Sequence, residues 1–120
     1  MTTNLLLATT MTPELLLWGP IGTSDAAVYT CPALSSVKIA TAVICNVTSS
    51  TATVFIGHAR SGDTAGVGHH VVHGYQLKAG ESVSLTPYLG GAMLTAGDFI
   101  TGYSGTASAV NLTLTGTVSA

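Results

Sequence analysis

The sequence of 120 residues contains little charge. Lys, Arg, Asp and Glu make up 7% of it, against about 25% in ordinary domains. The only basic residues are Lys38, Arg60 and Lys78, and the formal net charge is −2. Three scattered cations cannot form a phosphate-binding stripe, so nucleic acid is not an expected partner. A lone domain needs charge to stay dispersed, whereas a subunit covered by its neighbours does not. The composition therefore predicts a homo-oligomer, and we favour a trimer.

Long apolar runs are also missing. Hydrophobic residues reach 47% and the mean hydropathy is +0.54, yet no uninterrupted run approaches the roughly 20 residues of a membrane-spanning helix. No Lys or Arg precedes Lys38, which argues against a signal peptide. We expect neither membrane insertion nor secretion. The length suits one domain.

The chain has only two cysteines, Cys31 and Cys45. They fall on neighbouring predicted strands, so a disulfide between them is one alternative. Nothing else indicates an oxidising compartment. We favour the other alternative, in which both are free, buried and act as small hydrophobic residues.

The clearest pattern lies in residues 37–60, where two runs rich in Val, Ile, Thr and Phe flank the polar segment 48–51. Such residues fit a pleated surface, and the polar segment suits a reversal of the chain. The pattern predicts a β-hairpin. In its first strand, Val37, Ile39 and Val43 are expected to share one face, with Ala42 and Ile44 on the other.

The rest of the chain after residue 26 also predicts strands. These cover residues 27–31, 69–77, 81–86, 98–103 and 107–118. We expect residues 69–77 to pair with 81–86, residues 98–103 to pair with 107–118, and segment 85–91 to cross between sheets. Seven or eight short strands at such spacing predict a single antiparallel β-sandwich of jelly-roll type over residues 27–120.

Residues 1–26 are interpreted as an N-terminal arm. Thr12, Pro13 and Glu14 suit the start of a short helix that Gly19 and Pro20 end. A helix of about two turns is not stable alone, so its large apolar side chains need a surface to dock on. The predicted assembly contacts are Leu5, Leu6, Leu7, Leu15, Leu16, Leu17 and Trp18.

Two short segments share one turn pattern. Residues 77–81 and 94–98 both read Leu-x-Ala-Gly-acid. Glycine supplies the positive φ of a tight turn, and the acid then begins a strand. Five carboxylates, Glu14, Asp25, Asp63, Glu81 and Asp98, all fall at such caps, turns or loops.

The histidines are the one group with metal-ligand character. On a regular strand His69 and His73 share a face and His70 points away, so this chain alone cannot offer three convergent ligands. A single histidine per chain on a trimer axis is the alternative. We favour ordinary polar positions and expect no metal and no cofactor. No pair of carboxylates or nucleophile motif indicates catalysis, so we expect no enzyme.

The order of motifs resembles small virion proteins of tailed bacteriophages. The resemblance rests on Tyr29-Thr30-Cys31-Pro32-Ala33, then Val43-Ile44-Cys45-Asn46, a Ser/Thr-rich turn and Thr53-Val54-Phe55-Ile56. Residues 69–77, 79–81 and 94–98 look like the family's later strands and turns, so the similarity covers roughly residues 27–118. It implies a structural β-sandwich in a phage particle, assembled in the cytoplasm of the bacterial host.

Three functions remain open at this point. The first is a minor tail component at the tail tip or fibre, in contact with other virion proteins. The second is a decoration protein that stabilises the capsid head. The third is a host-glycan-binding module, which is less favoured because Trp18, Tyr75, Tyr88 and Tyr103 are scattered along the sequence.

Overall fold

The computed structural model describes residues 11–120, which form nine β-strands, a four-residue helix and one 3-10 turn. The strands are β1 (Met11–Pro20), β2 (Ala27–Thr30), β3 (Ser36–Asn46), β4 (Ala52–Ala59), β5 (His70–Leu77), β6 (Ser82–Ser84), β7 (Met93–Thr95), β8 (Phe99–Ser104) and β9 (Val110–Ser119). Helix α1 spans Thr86–Leu89, and the 3-10 turn spans Val67–His69.

The strands form two antiparallel sheets, which confirms the all-β prediction. One sheet has the order β1-β9-β3-β6, with β7 also pairing with β3, and the other has the order β2-β8-β4-β5. The pairs are nested along the chain: β1 pairs with β9, β2 with β8, β3 with β6, and β4 with β5. Strand β9 is therefore a central strand, between β1 and β3.

One apolar core lies between the sheets. Strands β3 and β9 contribute Ile39, Ile44, Leu112 and Leu114, and the opposite sheet contributes Val54, Ile56 and Ile100, all fully buried. The predicted alternation of β9 is confirmed, because Val110, Leu112 and Leu114 face the core while Thr113 and Thr115 are only half-buried. The branched side chains fill this layer because each strand presents alternate residues to it.

The predicted faces of β3 are wrong after Ile39. The register with β9 shifts between Ile39 and Thr41, which marks a β-bulge at Ala40. An extra residue in one strand reverses the alternation that follows. Val37 and Ile39 are buried, but beyond the bulge Ala42 and Ile44 are the buried residues.

The predicted strand positions are largely confirmed, but the predicted pairing is wrong. The two runs in residues 37–60 form β3 and β4, which lie in different sheets and not in a hairpin. The same holds for β5 with β6 and for β8 with β9. Each of these connections carries the chain across the core instead of back along its neighbour.

The segment after β6 stays in one sheet, against the predicted crossing. The N–H of Leu85 donates to the carbonyl of Ala42 at 2.7 Å, and the N–H of Gly91 donates to the carbonyl of Ile39 at 2.8 Å. Strands β6 and β7 pair with opposite ends of the same edge of β3. Together with α1 they line that edge as one interrupted element.

The short helix predicted from Thr12 is wrong. Residues 11–20 form β1, an edge strand paired along its length with β9. The sequence Thr-Pro-Glu is compatible with a helix start, but two turns of helix gain little alone, whereas a strand gains a ladder of hydrogen bonds with β9. Leu16 and Leu17 pack against the core from this strand.

The connection from β3 to β4 is held by the buried side chain of Asn46. Its Nδ2 donates to the carbonyls of Ser50 at 2.7 Å and Leu77 at 3.0 Å. Its Oδ1 accepts the N–H of Thr48 at 2.9 Å and the hydroxyl of Thr48 at 2.7 Å. All four hydrogen-bonding positions of the amide are thus used.

The repeated Leu-x-Ala-Gly-acid turn is confirmed. Glu81 accepts the N–H of Lys78 at 2.8 Å, and Asp98 accepts the N–H of Thr95 at 3.0 Å. The intervening Gly80 has φ of 71°, which supplies the left-handed residue of the turn.

Candidate functional site

The outer face of the β1-β9-β3-β6 sheet carries little charge. Cross-strand register sets Leu15 beside Thr115 and Thr41, and Trp18 beside Thr113 and Val43. We call this surface the threonine face, and it comprises Pro13, Leu15, Trp18, Lys38, Thr41, Val43, Cys45, Thr113, Thr115 and Thr117. Within residues 11–120, Lys38 is the only charged residue that register places on it.

Large apolar side chains are exposed on and beside this face. Trp18 is 72% exposed and Leu15 is 52% exposed. Of the predicted assembly contacts, these two lie on the threonine face, whereas Leu16 and Leu17 are half-buried against the core. Leu5, Leu6 and Leu7 lie outside the described residues. The role of all seven in assembly stays a prediction.

A second candidate site lies on the outer face of the opposite sheet. The Nε2 of His70 lies 2.9 Å from Oδ2 of Asp25, and the Nδ1 of His70 lies 2.9 Å from the Nδ1 of His73. The His70 side chain is only 2% exposed, and that of Asp25 is 22% exposed. His73 is exposed. We call these three residues the Asp-His-His chain.

The prediction that His70 and His73 point to opposite faces is wrong. Ile56 pairs with Val72 but Gly57 pairs with His70, so Val71 is an extra residue in β5. This bulge reverses the alternation and brings both rings to the outer face. Sequence spacing carries no signal for a bulge at Val71, which is why the cluster was missed.

Aromatic rings and a glycine shape the floor of this site. Phe55 and Tyr103 are cross-strand neighbours whose rings stack at 4.4 Å and 7°, and the ring of Phe55 meets that of His73 edge-on at 5.2 Å. At Gly57, a Cβ would lie 2.9 Å from the carbonyl oxygen of His69 and would clash with the hydroxyl of Thr101. Glycine is therefore required there.

Two buried polar atoms in the same region have no hydrogen-bond partner. They are Oδ1 of Asp25 and Oγ1 of Thr101. Thr101 pairs with Gly57 across the sheet, and Gly57 pairs with His70 on its other side. Buried polar atoms are nearly always paired, so these two are the exceptions within residues 11–120. Thr101 lies near His70 in the sheet register, and Asp25 contacts the His70 ring.

The other histidines lie elsewhere. His58 and His69 line a cavity of about 330 Å³ together with Arg60, Asp63 and Asp98. His69 Nε2 is 4.0 Å from Asp63 Oδ2. Within residues 11–120 no group of three or more His, Cys, Asp or Glu side chains converges as a metal site.

The edges of the two sheets enclose a groove of about 650 Å³ between β5 and the β6–α1 segment. Tyr75 and Tyr88 line it and are 39% and 63% exposed. Gln76 and Ser84 add polar groups to the same groove. The fold thus places these two tyrosines in one groove, although they are far apart in the sequence.

Asp98 has a structural role that its hydrogen bonds make clear. Burial would raise the pKa of this carboxyl, but the N–H groups of Thr95 and Ser61, the Thr95 hydroxyl and the charge of Arg60 lower it below the usual value. The acid is held ionised inside a turn. Such an arrangement stabilises loops and offers no free group for proton transfer.

No family model, curated protein or solved structure matches this chain. Among the helices of residues 11–120, none has the length and apolar character needed to cross a bilayer. Function is therefore argued from the surfaces just described.

Proposed function

We propose that this protein is a structural component of a tailed-bacteriophage virion, most simply a minor tail protein that works as a homo-oligomer. The observation that carries the proposal is the threonine face, where Trp18 is 72% exposed on the outer side of the sheet. Contiguous exposed apolar surface marks an interaction site in soluble proteins.

The occupant that this face suits is a second copy of the chain. Hydroxyl and methyl groups of threonine, valine and leucine cover it. Lys38 is the charged residue that register places on its described part, and Glu14 lines a cavity at its margin with Pro13, Leu15 and Thr115. A partner of opposite charge would have little to recognise, whereas a weakly charged surface of a second copy can cover it with few ions to desolvate. The low charge of the whole chain supports the same conclusion.

The strand order supports a jelly roll, which we propose as the specific fold. Nested pairing of β1 with β9, β2 with β8, β3 with β6 and β4 with β5 is what a long antiparallel ribbon gives when it folds across itself. Jelly rolls of eight strands are used by viral capsid and lectin domains. In this chain β6 and β7, which both pair with β3, are separated by α1. Fold alone does not decide function, but this one agrees with the resemblance in sequence.

The first experiment measures oligomeric state by sedimentation velocity. We expect the wild-type protein to be an oligomer, with a trimer favoured, and Trp18→Lys to raise the dissociation constant at least about tenfold, because it puts a charge and a long side chain at the interface. Val67→Lys is the matched control, since Val67 is 68% exposed in the loop before β5. A wild-type monomer at high concentration, or a Trp18→Lys variant that assembles normally, would refute the assembly proposal.

The second experiment locates the protein on particles. Phage particles that carry a tagged C-terminus are labelled and viewed by negative-stain microscopy. Label at the tail supports the minor tail protein, and label over the head favours the alternative of a capsid decoration protein. Purified particles without label would refute a virion role.

A host-glycan-binding module is the second candidate, and the groove between the sheet edges favours it. Tyr75 and Tyr88 supply exposed aromatic faces there, with Gln76 and Ser84 nearby as hydrogen-bonding groups. Aromatic platforms with a few polar groups suit ligand sites. Binding of bacterial surface polysaccharide that is lost in Tyr88→Ala but retained in Trp18→Lys would support this candidate over a purely structural role.

A further inference from the structure

The Asp-His-His chain has the form of a metal-ligand pair with a supporting carboxylate. We propose that the Nδ1 atoms of His70 and His73 bind one divalent transition-metal ion, with Zn²⁺ as the reference ion, and that Asp25 orients His70 from behind. Imidazole nitrogen suits zinc, copper and nickel. This site is separate from the threonine face and does not depend on the virion proposal.

The carboxylate fixes the form of His70. Oδ2 of Asp25 lies 2.9 Å from Nε2, so this nitrogen carries the proton and donates it. In the neutral ring, Nδ1 then holds a lone pair, which points at His73. A carboxylate behind the second nitrogen of a histidine is the usual support of a metal-ligating imidazole, because it sets the tautomer and raises ligand basicity.

The spacing of the two rings also fits. Their Nδ1 atoms are 2.9 Å apart, which is a hydrogen-bond distance. With zinc–nitrogen distances of about 2.0–2.1 Å and a tetrahedral angle, two ligand nitrogens lie about 3.3 Å apart. Because the two Nδ1 atoms now lie at hydrogen-bond distance from each other, an ion can enter only if the exposed His73 ring swings aside, while buried His70 stays in place.

A bound cation would also balance the negative charge of the Asp25 carboxylate. Within residues 11–120 the side chain paired with Asp25 is His70, which carries no charge in the form just described, and Oδ1 of Asp25 has no hydrogen-bond partner. The Asp25 side chain is 22% exposed, so its charge is only partly solvated, and charges removed from water are ordinarily paired with an opposite charge or bound to a metal. A doubly charged ion on the far nitrogen of His70 would compensate this charge through the ring. Two protein ligands leave the remaining coordination positions to water.

The test is a calorimetric titration of the full, tag-free chain with zinc chloride. We expect one saturable site per chain in the wild-type protein. His73→Gln should weaken binding at least about tenfold, because it removes a ligand from an exposed position where folding is not at risk. Asp25→Asn should weaken binding by about 10–100-fold, as loss of a supporting carboxylate does elsewhere.

The matched control is His69→Gln, which removes a histidine next to the proposed site in sequence but in the separate cavity with His58. It should bind zinc as the wild type does. Circular dichroism checks that each variant is folded, and the imidazole nitrogen NMR shifts of the wild type should show Nδ1 ligation at His70. Absence of saturable binding, equal affinity in His73→Gln, or loss only in His69→Gln would each overturn the proposal.

Discussion

The carboxylate of Asp98 accepts the backbone N–H of Ser61 at 2.9 Å, although the two residues are 37 positions apart. Its second oxygen accepts both the N–H and the hydroxyl of Thr95 at 3.0 Å. One buried side chain thereby ties the loop after β4 to the turn before β8.

We predict that Asp98→Asn lowers the free energy of unfolding by about 1–3 kcal/mol at pH 7, the range for charged hydrogen bonds. The pKa of Asp98 in the folded protein lies below its ordinary value of 3.8. Its stabilisation is therefore complete above that value and is lost as the pH falls through the lower, folded-state pKa. Urea unfolding at pH 7 and in a series below pH 4 should show the difference between wild type and variant shrinking with acid.

Asp63→Asn provides the control for that experiment. Asp63 accepts the N–H of Arg60 at 3.1 Å in an exposed turn, so its replacement should change stability by no more than about 0.5 kcal/mol. An equal loss in both variants, or a difference at Asp98 that persists unchanged in acid, would contradict the assigned role.

A second prediction concerns Asn46. Asn46→Asp should lower the free energy of unfolding by about 3 kcal/mol or more, because a carboxylate would face the carbonyls of Ser50 and Leu77 with no proton to donate. Thr48→Val, which removes one hydroxyl at the same connection, should cost only about 1 kcal/mol. Thermal unfolding measures the stability of each variant. Similar losses of stability in the two variants would show that the Asn46 amide is not the main support of the β3–β4 connection.

A third prediction uses the two thiols. The structure confirms that both are free, with Cys31 buried, but Cys45 is half-buried and not buried as predicted. Burial, and then the charge of Asp98, raises the pKa of the Cys31 thiol, so less thiolate is present at neutral pH. Under native alkylation followed by mass spectrometry, we expect Cys31 to stay unmodified.

Cys45 should report on assembly, because register places it on the threonine face. Its labelling should be slow in the wild-type oligomer and faster in Trp18→Lys, while Val67→Lys labels like the wild type. Equal labelling rates in all three proteins would mean that the interface lies on another surface.

Local pattern predicted where the strands are, because β-branched runs and polar breaks are local properties. It did not predict which strands pair. A hairpin and a connection that crosses the core can use equally short polar segments. In the structure, the connection from β3 to β4 is held by Asn46, whose side chain donates to the carbonyl of Leu77 on β5. A contact between residues so far apart in the sequence cannot be predicted from local pattern.

The candidate sites were hidden for a related reason. Bulges at Ala40 and Val71 reverse the alternation of β3 and β5, and neither position has the glycine that usually marks a bulge. The face of Trp18 was missed because β1 depends on β9, nearly 100 residues later, for its hydrogen bonds. The turns at Glu81 and Asp98 were readable, since the bonds from these acids to Lys78 and Thr95 lie within five residues, whereas the bond from Asp98 to Ser61 was not.

The central position of β9 has a consequence for how the protein is made. A ribosome that has released residues 11–104 has delivered eight strands, yet β1 and β3 still lack the strand that joins them. The sheet can close only after synthesis passes Ser119, so β1 and β3 wait without their shared neighbour until β9 has emerged. Non-local pairing of this kind folds slowly and leaves strand edges exposed. The most aggregation-prone period should therefore be the seconds before β9 emerges, when a chaperone would have its opportunity to bind.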